Sequence, residues 1–191
     1  MRIFINPGHA EGGVPDPGAV HEEYGLYGIQ EYKLAREIGS LLAGYLEASG
    51  EEVRLLQSHN LMGEAPSYPC VVRTANEWPA QLFLSIHINA GGGRGCETLC
   101  YGEESAGARF ATDIQHSLYT HIRTIDAGYR NRGVKVRPEL AVLRGTAMPA
   151  ALVEVGFLDS IDDAWLMTQY PEEFARALAC GILVYRDSLR Q

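Results

Sequence analysis

Along the chain, short apolar runs bounded by turn residues alternate with stretches whose apolar positions recur every three or four residues. The runs Arg2–Asn6, Val53–Leu56, Leu82–Ile88, Gly95–Tyr101 and Ala151–Val155 read as strands, with Ala141–Leu143 as a further short one. From Gly28 to Ala48, Leu34, Ile38, Leu41, Leu42 and Tyr45 form one apolar stripe, which predicts a helix closed by Ser49-Gly50. Phe110, Ile114, Leu118 and Ile122 repeat at four-residue spacing and predict a second long helix over Ser105–Ile122. A shorter helix is expected over Ser67–Asn76, where Pro69 falls in a tolerant first turn. A capped helix opens around Ser160, and the last, Pro171–Asp187, starts with Pro and two Glu.

Strands alternating with helices predict an α/β layered fold with a largely parallel sheet. Two stretches stand apart from this alternation. Pro7 to Tyr27 is a long Gly/Pro-rich loop with a turn at Asp16-Pro17-Gly18, and loops of that length in a compact domain tend to be functional. Tyr129–Lys135 reads as a polar, Arg-rich connection. No repeat or linker interrupts residues 1–191, so one domain is expected.

Composition narrows the class. The hydrophobic content of 46% and charged content of 21% are those of an ordinary globular protein, and the net charge of -8 favours neither a nucleic-acid backbone nor an anionic membrane. No apolar run approaches the length of a membrane span. The N-terminus, broken early by Pro7, reads as a first strand and not as a signal peptide. The expectation is a protein held in the cytosol until released, or a fragment of something exported. Cys70, Cys96, Cys100 and Cys180 form no C-x-x-C pair and are expected to be small buried hydrophobes.

Three polar groups follow or interrupt buried runs. His87 lies near the end of Leu82–Ile88, His9 comes just after Ile3-Phe4-Ile5, and Glu154 sits inside Ala151–Phe157. If their strands are parallel, all three collect at the carboxyl edge of the sheet, where such folds place ligands. A core histidine satisfied by a backbone carbonyl fits His87 as well as a ligand does. A carboxylate within a buried strand is not left unpaired, so Glu154 needs either a functional partner or an arginine such as Arg144. Two imidazoles and a carboxylate suggest a divalent metal, most simply zinc, with a further carboxylate beside it as proton acceptor. Spacing does not choose the ligand carboxylate, because Glu22, Glu23, Glu31 and Glu37 all lie near the first loop–helix junction.

The order of short motifs resembles a known family. Asn6-Pro7-Gly8-His9 and Asp16-Pro17-Gly18-Ala19 are followed by Gln30-Glu31, Ala75-Asn76, Leu84-Ser85-Ile86-His87-Ile88-Asn89-Ala90 and Gly95-Cys96-Glu97-Thr98. Arg132-Gly133-Val134-Lys135, Val142-Leu143-Arg144 and Pro149–Leu158 complete the set. Together they resemble the zinc-dependent N-acetylmuramoyl-L-alanine amidases of bacterial cell walls and phage lysins. The resemblance implies a six-stranded, mostly parallel sheet flanked by helices, zinc on His9, Glu31 and His87, and Glu154 as catalytic acid/base. It implies hydrolysis of the amide between the lactyl group of N-acetylmuramic acid and L-alanine in peptidoglycan, at the cell wall; a monomer is expected. Asn89 and Arg144 are the expected substrate contacts. Glu97 can line the groove or be a surface strand residue. The other histidines, His21, His59, His116 and His121, are expected to be solvated or structural. A zinc peptidase acting on the stem peptide would use the same site, whereas an inactive wall-binding module would need a missing ligand.

Overall fold

The computed structural model describes residues 1–21 and 28–190. Glu22, Glu23 and Tyr27, which entered the expectations above, lie outside them. In chain order the elements are β1 (Arg2–Pro7), β2 (Val20–His21), β3 (Ile29–Gln30), α1 (Glu31–Ala48), β4 (Glu52–Leu55), α2 (Val71–Glu77) and β5 (Leu82–Asn89). Then follow β6 (Cys96–Cys100), α3 (Ala106–Ile122), β7 (Asn131–Val136), α4 (Ala141–Gly145), β8 (Ala150–Phe157), α5 (Ile161–Gln169) and α6 (Pro171–Ser188).

Six strands form one sheet in the order β4-β1-β5-β8-β6-β7, and β2 pairs with β3 in a separate small ribbon. Every neighbouring pair in the large sheet is parallel except β6 with β8. The expected mostly parallel α/β architecture is therefore the observed one. Residues of one parity, Ile3, Ile5, Leu84, Ile86, Val153 and Val155, pack under the stripes of α1, α3 and α6. Phe4, Phe83, Leu99 and Leu152, of the other parity, meet Val71 and Val72 of α2 and Val142 and Leu143 of α4. Phe4 stacks on Phe83 with ring centroids 5.6 Å apart. On that second face the rows turn polar toward the strand ends, first at Asn6 and Ser85, which are buried and bonded to each other, then at His87 and Glu154, which are partly exposed.

Two elements differ from the sequence reading. Tyr129–Lys135 is no mere connection, because Asn131–Val136 forms the sixth strand, β7. It is an edge strand, half-buried to exposed, so it needs no apolar run. Ala141–Leu143 belongs to a five-residue helix, α4, and not to a strand. An apolar run that short fits either state, and burial of Val142 and Leu143 against α2 decides it. Helix α1 also starts later than expected, since Ile29-Gln30 is strand before it becomes helix at Glu31. Cys70, Cys96 and Cys100 are buried free thiols, but Cys180 lies on the outer side of α6 and is exposed.

Candidate metal centre

The carboxyl ends of β1 and β5, side by side and parallel, deliver His9 and His87 to one place, with ring centroids 5.0 Å apart. Glu31 arrives from a different direction as the first residue of α1, where a carboxylate also suits the helix dipole. Its Oε1 is 3.0 Å from His9 Nε2 and 3.0 Å from His87 Nδ1. One donor atom from each of the three residues lies within 4.8 Å of the other two, a group that could hold a metal ion.

The surroundings hold the donors in place. Asp16 takes the second ring nitrogen of His9, with Nδ1 2.9 Å from Oδ2, which assigns the proton to Nδ1 and leaves the Nε2 lone pair for a ligand. Glu31 accepts the backbone N–H of Ala19 at Oε2 and that of Ile88 at Oε1. Two glycines make the approach possible. A Cβ on Gly8 would stand 2.3 Å from His87 Cε1, and one on Gly18 would stand 2.5 Å from both Glu31 Oε2 and His9 Cδ2. Buried Gln57 fixes the loop from below by donating to the carbonyls of Gly8 and Tyr32. His9 itself has φ 67°, a left-handed backbone that a non-glycine residue adopts at a cost.

The electrostatics of the cluster are strongly coupled. Burial would lower the pKa of His9, but Glu31 and Asp16 outweigh it and hold the imidazolium up to about 9. Burial would raise Glu31, yet hydrogen bonds with His87 and His9 keep it well below the usual carboxylate range. Both shifts mark a pocket that wants positive charge beside Glu31, whether protons or a cation supply it.

Glu154 stands on β8 directly opposite His87 on β5 and opposite Glu97 on β6. Its Oε2 is buried without a hydrogen-bond partner among the described residues. Burial pushes its pKa up to about 7, with Glu31 and Glu97 adding to the rise and His87 and His9 opposing it. Among the described residues Glu154 has no arginine partner of the kind considered from sequence. Arg144 instead lines a cavity of about 430 Å³ with Tyr101, Ser105 and Ala150, at the start of β8. That end of the strand is remote from Glu154, and the cavity beside the donors does not include Arg144. Asn89 does lie near the centre, where its Nδ2 donates to Glu97 Oε1 at 3.3 Å.

The cavity beside the donors holds about 150 Å³ and is lined by His9, Asp16, His59, His87, Leu140 and Val142, among others. His59, expected to be solvated or structural, is therefore a wall residue, with its ring 4.3 Å from that of Tyr68. His121 pairs with Glu173 at 2.6 Å, a structural role. Asp16 was legible only as a turn residue. It does make that turn, accepting the Gly18 N–H, and the contact with His9 is additional. Asp159 accepts the N–H groups of Gly91 and Gly92 and ties down the loop after His87.

Comparison with known proteins places the chain in a family. A family model described as N-acetylmuramoyl-L-alanine amidase matches residues 3–184. The sporulation-specific N-acetylmuramoyl-L-alanine amidase of Bacillus subtilis is 36% identical over 185 residues, covering 95% of this chain and 67% of that protein. The N-acetylmuramoyl-L-alanine amidase CwlM of Bacillus licheniformis is 35% identical over 184 residues, with coverages of 95% and 67%. Among solved structures, the N-acetylmuramoyl-L-alanine amidase AmiC2 of Nostoc punctiforme matches with a TM-score of 0.79 at 28% identity, covering 98% of this chain and 97% of that one. With one family model spanning nearly all of its length and close relatives of the same kind, the chain belongs to the N-acetylmuramoyl-L-alanine amidase family of hydrolytic enzymes.

Proposed function

We propose that the chain hydrolyses the amide joining the lactyl group of N-acetylmuramic acid to L-alanine of the peptidoglycan stem peptide, with zinc held by His9, Glu31 and His87 and with Glu154 as acid/base. The observation that carries this reading is the convergence of His9 Nε2, Glu31 Oε1 and His87 Nδ1 beside an unpartnered carboxylate on the neighbouring strand. Two imidazoles and one carboxylate match a catalytic zinc site better than a structural one, which would close the fourth position with a thiolate or imidazole. When bound, zinc would supply Lewis acidity toward the scissile carbonyl and toward water.

The chain's own residues do the rest. Asp16 keeps the His9 proton on Nδ1, and the Ala19 and Ile88 N–H groups hold the Glu31 carboxylate in one orientation. Glu154, poised near neutrality by burial, takes a proton from the attacking water and returns it to the leaving amine nitrogen. Asn89 and the Gly91–Gly95 loop form a wall of the groove beyond His87. Arg144 is left out of this scheme because of its position at the other end of β8. The scheme needs no residue from a second chain, and action as a monomer at the cell wall is part of the proposal. Among the described residues no helix is long and apolar enough to cross a membrane.

Mass spectrometry of digested peptidoglycan tests the reaction. A free lactyl carboxylate on the glycan and a free α-amino group on L-alanine are expected. Fragments cut within the stem peptide would instead identify a zinc peptidase.

A further inference from the structure

We infer that Arg132 and Lys135, anchored on Glu97, form a subsite for a carboxylate of the stem peptide, two to three residues beyond the scissile amide. This rests on the amidase reading and adds a substrate contact to it.

Glu97 is buried, 7% exposed, and faces Glu154 across the β6–β8 pair. Two cations meet its Oε2: Arg132 Nε at 2.7 Å and Lys135 Nζ at 2.6 Å, both from β7. Glu97 and Glu154 together match the two cations in charge, but only Glu97 is bonded to them, which leaves the remaining donors of Arg132 and Lys135 open. The pair lies on the sheet face that carries His87 and Glu154, because Leu99, in register with Lys135, has the parity of Glu97 and packs with Phe83 and Leu152.

The donors are available and held. Arg132 spends only Nε on Glu97, and its two terminal nitrogens have no partner among the described residues. Its guanidinium carbon sits 4.8 Å from the centroid of the Phe157 ring, which fixes the plane of the fork. Lys135 likewise uses one of three ammonium hydrogens. The two side chains are 36% and 40% exposed, open enough to meet a ligand.

The distance suits a peptide. Neighbouring strands lie about 4.8 Å apart, so β6 and β7 stand roughly 10 and 14 Å from β5 and its His87. An extended peptide advances about 3.3 Å per residue. A stem peptide with its first amide over His87, running across the strands, therefore brings the carboxyl groups of its second and third residues to Arg132 and Lys135. Guanidinium and ammonium donors bind a carboxylate with charge-assisted hydrogen bonds.

The test compares three synthetic muropeptides: all stem carboxylates free, the second residue amidated, or the third residue amidated. Wild type, R132Q, K135Q, R132K and the double glutamine variant are assayed on each. Release of the lactyl product by wild type checks the amidase reading separately. The expected result is that amidating one position raises the wild-type KM about tenfold to a hundredfold, with kcat little changed. The position that does so names the carboxylate. The double variant should lose the same factor on the free peptide and no longer distinguish the amidated one, and R132K should retain part of the preference. A wild type indifferent to amidation overturns the subsite whether or not the variants fold. Variants that slow all three substrates equally also overturn it, and reduce the pair to neutralising Glu97.

Discussion

Glu154→Gln should make the metal-free protein more stable and the enzyme inactive, and the stability half of that statement has a definite pH signature. Burial, with help from Glu31 and Glu97, lifts the Glu154 pKa to about 7 from an ordinary 4.5. A raised folded-state pKa means that the native protein holds this proton more tightly than the unfolded chain does. The group therefore costs nothing below about pH 4.5, and its cost grows as pH rises toward 7. Above that pH the ionised carboxylate destabilises the fold by about 3 kcal/mol, at 1.36 kcal/mol per pH unit. Glutamine cannot ionise. Its amide inherits the place of the unpartnered Oε2, which offsets part of the gain, so about 2 kcal/mol is expected at pH 8. For a chain of this size that is about 4 to 8 °C in Tm.

The assay is thermal unfolding of wild type and E154Q after chelation, from pH 5 to 9. The Tm difference should open with rising pH, and adding zinc should narrow it, because a cation beside Glu154 compensates its charge. Activity moves the other way. Loss of a positioned general base costs about 10² to 10⁴-fold, with zinc content unchanged. A Tm difference that stays flat across that pH range would refute the placement of Glu154 as a carboxylate whose charged form burial disfavours.

Other perturbations probe the donors. Asp16→Asn removes the charge that holds His9 Nδ1–H, and zinc affinity measured against a competing chelator should fall about 10- to 100-fold while the fold persists. Gly8→Ala places a methyl 2.3 Å from the His87 ring, so zinc binding and activity should be lost together, at a stability cost of about 1 to 3 kcal/mol. Because Glu31 and Asp16 keep His9 protonated up to about 9 when no cation is bound, zinc uptake at pH 7 must expel that proton. Calorimetry in buffers of different ionisation enthalpy should find about one proton released per zinc, and uptake without release would contradict the coupling.

What could be read from the sequence follows from where each residue's partners lie. Strands β1, β5 and β8 are buried on both faces, which writes them as continuous apolar runs and makes a polar interruption such as His87 or Glu154 conspicuous. His9 is legible for a related reason, as the first charged chemistry after such a run. Strand β7 lies at an exposed edge, carries Gly133 at φ 79° and pairs across a bulge, so nothing in its pattern demands a strand. Helix α4 is shorter than two helical turns and cannot display a 3.6-residue period.

Glu31 shows the deeper limit. A glutamate opening a helix is explained locally by the helix dipole, and that explanation is true here as far as it goes. What separates Glu31 from other acids is that the Ala19 N–H, 12 residues earlier, and the Ile88 N–H, 57 residues later, converge on it with two imidazoles. Asp16 repeats the pattern, since an Asp-Pro-Gly turn satisfies its carboxylate locally and hides the contact with His9. A local role that is already sufficient masks a distant one, whereas Glu154, with no local role available inside a buried strand, cannot be masked. The backbone strain falls at the same junction. His9 adopts a left-handed conformation that costs on the order of 1 kcal/mol or more, and it does so between Gly8, which leaves room for the His87 ring, and Asp16, which accepts a hydrogen bond from its Nδ1–H. An unstrained residue at this position would send its side chain elsewhere. The loop from Pro7 to Gly18 is thus built to aim one nitrogen, and its length and its Gly/Pro content serve that aim.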